Sequence, residues 1–480
     1  MKSMRTTPSN TGSSYHPDYP LVYEIAYLAP QQLFTLFAHE PYAVLLESAQ
    51  FHSSLGRYSF IAVAPFATLV SKKDQVTYQN ASQQMHPFRV LEQHLTQYKL
   101  RTWPELPPFQ GGMIGYLAYD LCRYLEKIPA QTDEFDFPEM QLGCYDLVLG
   151  FDHVQQRTWL FSSGLPENNP KQRQNRAQIR GQWLLQKLKK IPTATISNAV
   201  CSIQTITANF SEQTYCNVVQ QALRFIEAGD IFQVNLSQRF TTVLPESLTP
   251  FELYCRLSQL NSAPFASYLN FGTTKLASAS PERFLRLNNG HVETRPIKGT
   301  SPRETSAQHD HELAQQLVTN EKERAENIMI VDLLRNDLSR VCRATSVQVP
   351  QLCTIESYAT VHHLVSVIEG QLRKDCNALS LLQATWPGGS ISGVPKVRAM
   401  EIIAELEPTA RGPYCGCIGY WGYDGNMDTA ITIRTFAIKN NQVIYQAGGG
   451  ITAASNPVAE YQETLLKARA LQCALTEIST

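Results

Sequence analysis

Lys298 stands in the stretch ETRPIKGTSPRET (293–305), between Pro296-Ile297 and Gly299-Thr300. Proline fixes its own φ and donates no backbone hydrogen bond, whereas glycine opens backbone angles closed to other residues. A lysine in such a rigid, partly apolar bend is either an ion-pair anchor or a reactive amine. Two further stretches carry carboxylates at helical spacing, Glu323 with Glu326 and Glu460 with Glu463, each pair at i and i+3. Residues three apart share one face of a helix. Two such helices meeting would make a hard-oxygen site of the kind Mg²⁺ takes beside a substrate's anionic group. The spacing alone equally suits ordinary surface glutamates, since Arg324 adjoins Glu323 and Lys467 lies four residues after Glu463.

These residues need elements to hold them. SEQTYCNVVQQALRFIEAGDIF predicts a helix that starts at Ser211, with Glu212 at its positive end. QVNLSQRFTTVL predicts a strand and KERAENIMIVDLLRNDLSRV a long helix. GYWGYD, DTAITIRTFAIKN and QVIYQAGGGI predict strands joined by turns, with Asp424-Gly425 in one of them, and NPVAEYQETLLKARALQCAL predicts a closing helix. Before these, residues 20–161 hold many short apolar runs punctuated by Gly, Pro and Asn/Asp, which predicts mostly strands with a few helices. Residues 162–204 open with the turn-rich SSGLPENNP. KQRQNRAQIRGQWLLQKLKK follows as a helix whose basic face is expected to be solvated. Residues 1–19 predict a mobile tail. Strands that alternate with long helices and hairpin turns indicate an α+β fold.

The chain has 480 residues, 43% of them hydrophobic and 17% charged, with a net charge of −1. That suits a large core in two or three lobes and gives no electrostatic reason to expect nucleic acid or a membrane surface. The 11 cysteines are scattered without a framework, and the polar N-terminus has no apolar signal region. Both point to a cytoplasmic protein. GGSISGVPK (388–396) lacks the GK[ST] of a phosphate loop. Gly448, Gly449 and Gly450 form either a tight turn or a backbone nest for a carboxylate. CGCIG (415–419) resembles an amidotransferase nucleophile turn, but the only H-x-E, at 291–293, lies upstream, so Cys417 is expected to be a small buried residue.

Taken in order, SPERF (280–284), TRPIKGT (294–300), ERAENIMIVDLLRNDL (323–338), VHHLVS (361–366), PGGSISGVPK (387–396), DTAITIRT (428–435), AGGGI (447–451) and EYQETLLKARAL (460–471) resemble the chorismate-utilising enzymes. The resemblance is dense over 205–475 and looser before it, through LLESA, RYSF and FQGGMIGYLAYDL. It implies an α+β fold in which two large, mainly antiparallel β-sheets pack face to face, with helices outside and an active-site cleft between lobes. Residues 20–161 would form an N-terminal lobe, 162–204 a linker and connecting helix, and 205–480 the chorismate-binding domain.

The resemblance also implies Mg²⁺ as cofactor. Glu326 and Glu463 match its direct ligands, and Glu323 and Glu460 the carboxylates behind them. Tyr414 and Arg434 match residues that hold the enolpyruvyl carboxylate, Gly448, Gly449 and Gly450 the backbone stretch that supplies donors, and His363 the active-site histidine. Ser390, Thr300 and Thr360 sit in or beside matching motifs. Water-adding members carry a lysine base at the position of Gln233, and an amide cannot act as that base. Members that form anthranilate read PIAGT at 296–300, and members that aminate C4 read PIKGT, as here. The implied reaction is therefore amination of chorismate at C4, on the route to 4-aminobenzoate and folate. Lys298 would act as nucleophile at C2 and Glu282 as general acid, and a separate glutamine amidotransferase subunit would supply ammonia. An anthranilate-forming enzyme is the nearest alternative. A silent subunit that binds chorismate or tryptophan is one of another class. Glu47, Ser48, Tyr58 and Ser59 match a region where relatives hold tryptophan.

Overall fold

The computed structural model describes residues 16, 18–49, 55–190, 205–358 and 361–476. The expected tail 1–19 lies outside these, apart from His16, Asp18 and Tyr19, as do residues 191–204 of the expected linker and Thr360. Two 12-stranded sheets carry the architecture, and every pairing between their strands is antiparallel. The first runs from Leu21–Ile25 through Arg157–Ser162, Leu147–Asp152, Tyr58–Ala62 and Ala43–Glu47 to Phe265–Phe271. It continues through Thr274–Ser280, Thr435–Lys439, Gln442–Ile451 and Gln233–Val243. The second runs from Ile297–Pro302 through Val361–Gln371, His291–Thr294, Arg283–Asn288, Met427–Ile431 and Cys417–Gly422 to Gly112–Leu117, Met140–Tyr145 and Ala67–Lys72. Each sheet thus takes strands from both sides of 162–204.

The sheets face each other across an apolar layer. Val44, Phe60, Val148, Leu269 and Ile444 of the first meet Ile114, Tyr116, Ile418 and Tyr420 of the second. Helices Pro250–Leu260 and Pro457–Thr476 cover the outer face of the first sheet. Helices Pro87–Gln97, Glu321–Ser339 and Ala378–Thr385 cover that of the second.

DTAITIRTFAIKN is not one strand. Met427–Ile431 belongs to the second sheet and Thr435–Lys439 to the first, so the chain passes from one to the other over Thr432–Arg434. Arg434 turns the chain with φ 53°, a left-handed angle seldom used by such a side chain. No glycine or proline marks the break, and the apolar alternation runs straight through it. The chain makes the same passage at Pro281-Glu282, between Thr274–Ser280 and Arg283–Asn288. The two crossings lie side by side: Ala279 N–H donates to Arg434 O at 3.0 Å and Ile431 N–H to Glu282 O at 3.1 Å.

Helix Glu212–Glu227 starts where expected, with Ser211 and Thr214 forming a reciprocal cap. Helix Pro170–Lys187 differs from expectation, because its basic face is not simply solvated. Arg173 is buried and donates to Ser163 O, and Arg180 and Arg176 reach the buried Asp146 at 2.8 and 3.6 Å. The charge that the sequence places on that helix is used to anchor it. Nor do Gly448–Gly450 form a turn or a nest. They lie within strand Gln442–Ile451, paired with Ser237, Leu236 and Asn235. Cys417 is fully buried in a strand, and the ten cysteines among the described residues are free thiols.

Candidate active site

Helix Glu321–Ser339 is pinned to the second sheet by Asn327, which donates to Leu364 O at 3.1 Å and accepts from Ser366 Oγ at 2.5 Å. Asn320 caps it by accepting from Glu323 N–H at 3.1 Å. Helix Pro457–Thr476 is pinned to the first sheet by Gln238, which donates to Thr464 Oγ1. Glu323 and Glu326 lie in the early turns of one helix and Glu460 and Glu463 in those of the other. Helix N-termini favour negative charge, so each helix sets its pair at its positive end.

Glycines bring the two pairs together. A Cβ at Gly449 would stand 3.1 Å from Glu460 Oε2 and 3.4 Å from Glu463 Oε1. One at Gly450 would stand 3.2 Å from Glu326 Oε2 and would overlap Gln233 Nε2. Their absence leaves room in front of the carboxylates. Beyond Ile444 the strand bearing these glycines pairs only with Gln233–Val243 among the described residues, so its other edge is unpaired. Burial raises the proton affinity of Glu326 and of Glu323, and Glu463 adds to the rise at Glu323. At Glu463 burial also pushes upward, but Lys467 at 2.6 Å, with Lys322 and Lys298, brings the carboxyl below its ordinary value. Lys322 stands 3.6 Å from Glu460. Among the described residues, no three acidic, histidine or cysteine side chains close into a ready-made ion cage. The donor set is nevertheless all hard oxygen and held in front of a glycine cradle. That fits Mg²⁺, which keeps several of its own waters and needs few protein ligands.

Lys298 projects from a bulge. Ile297 pairs with Val365 and Thr300 with His363, so three steps on the edge strand face two on its neighbour. Gly299, at φ +86°, takes up the extra residue, a conformation glycine adopts freely. The bulge turns the lysine into the cleft. Burial lowers its proton affinity, and Lys467 lowers it further, against the pull of Glu326, Glu282 and Glu323. Glu282, at the sheet crossing, is enclosed. Burial lifts its carboxyl to about 7, against hydrogen bonds from Ser390 and Ile297 N–H and the nearby Lys298. Ser390 Oγ donates to Glu282 Oε1 at 2.5 Å from the short turn Gly389–Ile391. His363 is held by Thr300 Oγ1 at its Nδ1, 2.9 Å away. Burial, and then Arg434, take it down to about 4, so it is neutral at pH 7.

Arg434 reaches the carbonyl of Lys467 and lies close to Tyr414 and Glu463. Gln233 is enclosed; its Nε2 donates to Glu326 at 3.4 Å and its Oε1 has no partner among the described residues. The structure thus draws Lys298, Glu282, His363, Thr300, Ser390, Gln233, Tyr414, Arg434, the four glutamates and the three glycines to one cleft. Sequence reasoning missed Lys322 as the partner of Glu460. It also missed Arg411 and Glu407, four apart on the approach to Tyr414, whose spacing was the available signal.

Glu47, Ser48 and Tyr58 lie elsewhere. They line a cavity of about 350 Å³ between the sheets, with Arg57, Phe265, Arg283 and Tyr420. Ser59 is buried behind it, accepting from Ser48 N–H at 3.0 Å.

Gly299→Ala tests the bulge. An alanine Cβ would stand 2.9 Å from Glu323 Oε2 and 3.0 Å from Leu317 Cδ1. The left-handed angle costs about 1–2 kcal/mol, read as a lower urea midpoint. Displacement of Glu323 and Lys298 should slow chorismate consumption roughly 10-fold, equivalent to about 1.4 kcal/mol. Unchanged turnover would mean that the bulge does not aim Lys298.

Comparison with known proteins follows the same outline. The family model described as chorismate binding enzyme matches residues 42–472. Aminodeoxychorismate synthase component 1 of Salmonella typhimurium is 40% identical over 445 residues, covering 92% of this chain and 94% of that protein. Anthranilate synthase component 1 of Thermus thermophilus is 40% identical over 433 residues, covering 90% and 91%. The crystal structure of anthranilate synthase component I from Streptococcus pneumoniae superposes with a TM-score of 0.79 at 32% identity, covering 88% of this chain and 93% of that one. Two differently named activities stand equally near, so similarity alone does not choose between them. The match does run through both sheets and both carboxylate helices, and on that footing the protein belongs to the chorismate binding enzyme family and is a chorismate-utilising enzyme.

Proposed function

We propose that this protein replaces the C4 hydroxyl of chorismate with an amino group, giving 4-amino-4-deoxychorismate. The observation that carries the reading is the bulge-borne Lys298, whose hold on its proton burial weakens, set against an enclosed Glu282. Amination at C4 with retention is easier as two inverting displacements than as one, and an enzyme nucleophile provides the division. The free amine of Lys298 attacks C2, and both ring double bonds shift, C1=C2 to C1=C6 and C5=C6 to C4=C5. The C4–O bond breaks as Glu282 gives its proton to the departing hydroxyl, which leaves as water. Ammonia then adds at C4, both double bonds shift back, and the C2–N bond to Lys298 breaks. The proton released from the ammonia nitrogen returns to Glu282. The pyruvyl ether is untouched.

Gln233 supports an amine nucleophile over water. It offers an unpartnered acceptor oxygen in the cleft and no base. Mg²⁺, held by Glu326 and Glu463 with Glu323 and Glu460 behind, would neutralise the ring carboxylate. Arg434, Tyr414 and the open strand edge at Gly448–Gly450 suit the substrate's other carboxylate. Ammonia would come from a separate glutamine amidotransferase subunit, in the cytoplasm. Among the described residues no helix is long and apolar enough to cross a membrane.

The cavity at Glu47 suits a bound tryptophan, as its walls combine Phe60, Phe265 and Tyr420 with charged Glu47, Arg57 and Asp428. Burial raises the Glu47 carboxyl, while Tyr254 and Gln31 hold it in place by hydrogen bonds.

Three measurements check these readings. Incubated with chorismate, Mg²⁺ and ammonium, the protein should form a product that keeps the pyruvyl group, and Lys298→Ala should not form it. Fluorescent anthranilate with free pyruvate would refute the C4 assignment. The rate should be bell-shaped in pH, because the reaction needs Lys298 without its proton and Glu282, lifted to about 7, with its own. Glu282→Gln should lower kcat by roughly 10²–10⁴-fold. Ser390→Ala, by removing a hydrogen bond that favours the carboxylate, should move the Glu282 limb upward. Tryptophan at a hundredfold over its Kd should stabilise the protein by about 2.7 kcal/mol, and Glu47→Ala should abolish the shift. No shift with the wild type would empty that cavity of tryptophan.

A further inference from the structure

We propose that Arg411 is a positioning residue for the reaction: clamped by Glu407, it aligns the Ser390 turn and Tyr414 with the reacting ring. The inference rests on the chorismate reading of the cleft but not on which ring carbon is aminated.

Arg411 is fully buried, and its guanidinium spends its donors on fixed acceptors. Nε and Nη2 reach the two carboxylate oxygens of Glu407 at 2.9 and 2.8 Å, Nη1 reaches Ile391 O at 2.9 Å, and Nη2 reaches Asn235 O at 2.7 Å. Ile391 adjoins Ser390, whose hydroxyl holds Glu282. Asn235 lies two residues beyond Gln233 on the strand paired with Gly450. Glu407 extends the clamp, accepting from both Ser237 N–H and Ser237 Oγ at 2.9 Å.

The guanidinium also stands 4.7 Å from the ring centre of Tyr119 and 5.9 Å from that of Tyr414. The backbone completes the bracket. Gln446 Nε2 donates to Arg411 O at 2.9 Å from the strand that carries the glycines, and Asp120 accepts from Gly412 N–H at 2.7 Å. Arg411 therefore joins the Ser390 turn, the Gln233 strand and Tyr414 through its side chain, and the glycine strand through its carbonyl. A planar fork with donors at fixed angles can do this, and the single ammonium of lysine cannot.

The test is a double-mutant cycle on the full chain, read as loss of chorismate, which every reaction of the family shows whatever its product. Arg411→Lys should lower kcat roughly 100-fold, the scale of a misplacement of about 1 Å, with a smaller rise in KM. If Arg411 acts through Ser390, adding Ser390→Ala to Arg411→Lys should cost far less than it costs in the wild type. The Glu282 limb of the pH profile in Arg411→Lys should move the same way as in Ser390→Ala. A bystander that merely stabilises the fold would move neither. Fully multiplicative costs with an unmoved limb overturn the proposal. Should Arg411→Lys fail to fold, Glu407→Gln keeps the guanidinium in place and enters the same cycle, where non-multiplicative costs support the proposal and multiplicative costs overturn it. Failure of the C4 assignment would appear separately, as anthranilate from the wild type, with the cycle unaffected.

Discussion

The paired passage of two strands from one sheet to the other is the constraint on which this structure turns. At Pro281-Glu282 and Thr432–Arg434 the chain leaves one ladder and joins the other, and two backbone hydrogen bonds tie the crossings together. A strand that stays in its sheet alternates its side chains between a packed core and an outer face. A strand that changes sheets must, for two or three residues, point side chains along the seam. Glu282 and Arg434 are those residues. Their placement in the cleft follows from the topology, and the topology holds because residues on both sides of each crossing are buried in ladders of their own.

The seam explains the electrostatics. Two helices, one on the outside of each sheet, end their positive N-termini at the same opening, and each brings two glutamates. Four carboxylates in a partly enclosed space repel one another. Lys322 and Lys467 offset some of that charge, while burial first, and the repulsion after it, raises the proton affinity of Glu323 and Glu326. The arrangement is one that a hard cation and an anionic substrate would complete. Burial does the rest. It lifts Glu282 to about 7, takes His363 down to about 4 and weakens the hold of Lys298 on its proton. An acid that keeps its proton beside an amine that gives one up is what the proposed exchange requires.

The same frame accounts for the glycines that matter. Gly299 bends the edge strand so that Lys298 faces inward. Gly449 and Gly450 keep a strand flat against Glu460, Glu463, Glu326 and Gln233, where any Cβ would intrude. Neither needs a loop. The lysine and the glycines sit in ladders, which is why their positions are precise.

Much of this was legible in the residues. Helical spacing put Glu323 with Glu326 and Glu460 with Glu463 on shared faces, the cap at Ser211 marked a helix start, and the proline and glycine around Lys298 announced a shaped backbone. These are local properties, set by periodicity and by the angles that each residue type allows. Tertiary structure alone decided where the elements meet. DTAITIRTFAIKN reads as one strand because both halves are apolar and alternate, and nothing within that stretch tells the chain to change sheets at Arg434. Gly448–Gly450 suggested a turn, since glycine permits one, but it was Gln233 and the glutamates, distant in sequence, that required Gly449 and Gly450 to be small. The basic helix Pro170–Lys187 suggested a solvated face, yet Asp146 lay beneath it. Spacing states what a side chain can do, and only the packing of remote segments supplies the partner that makes it do so.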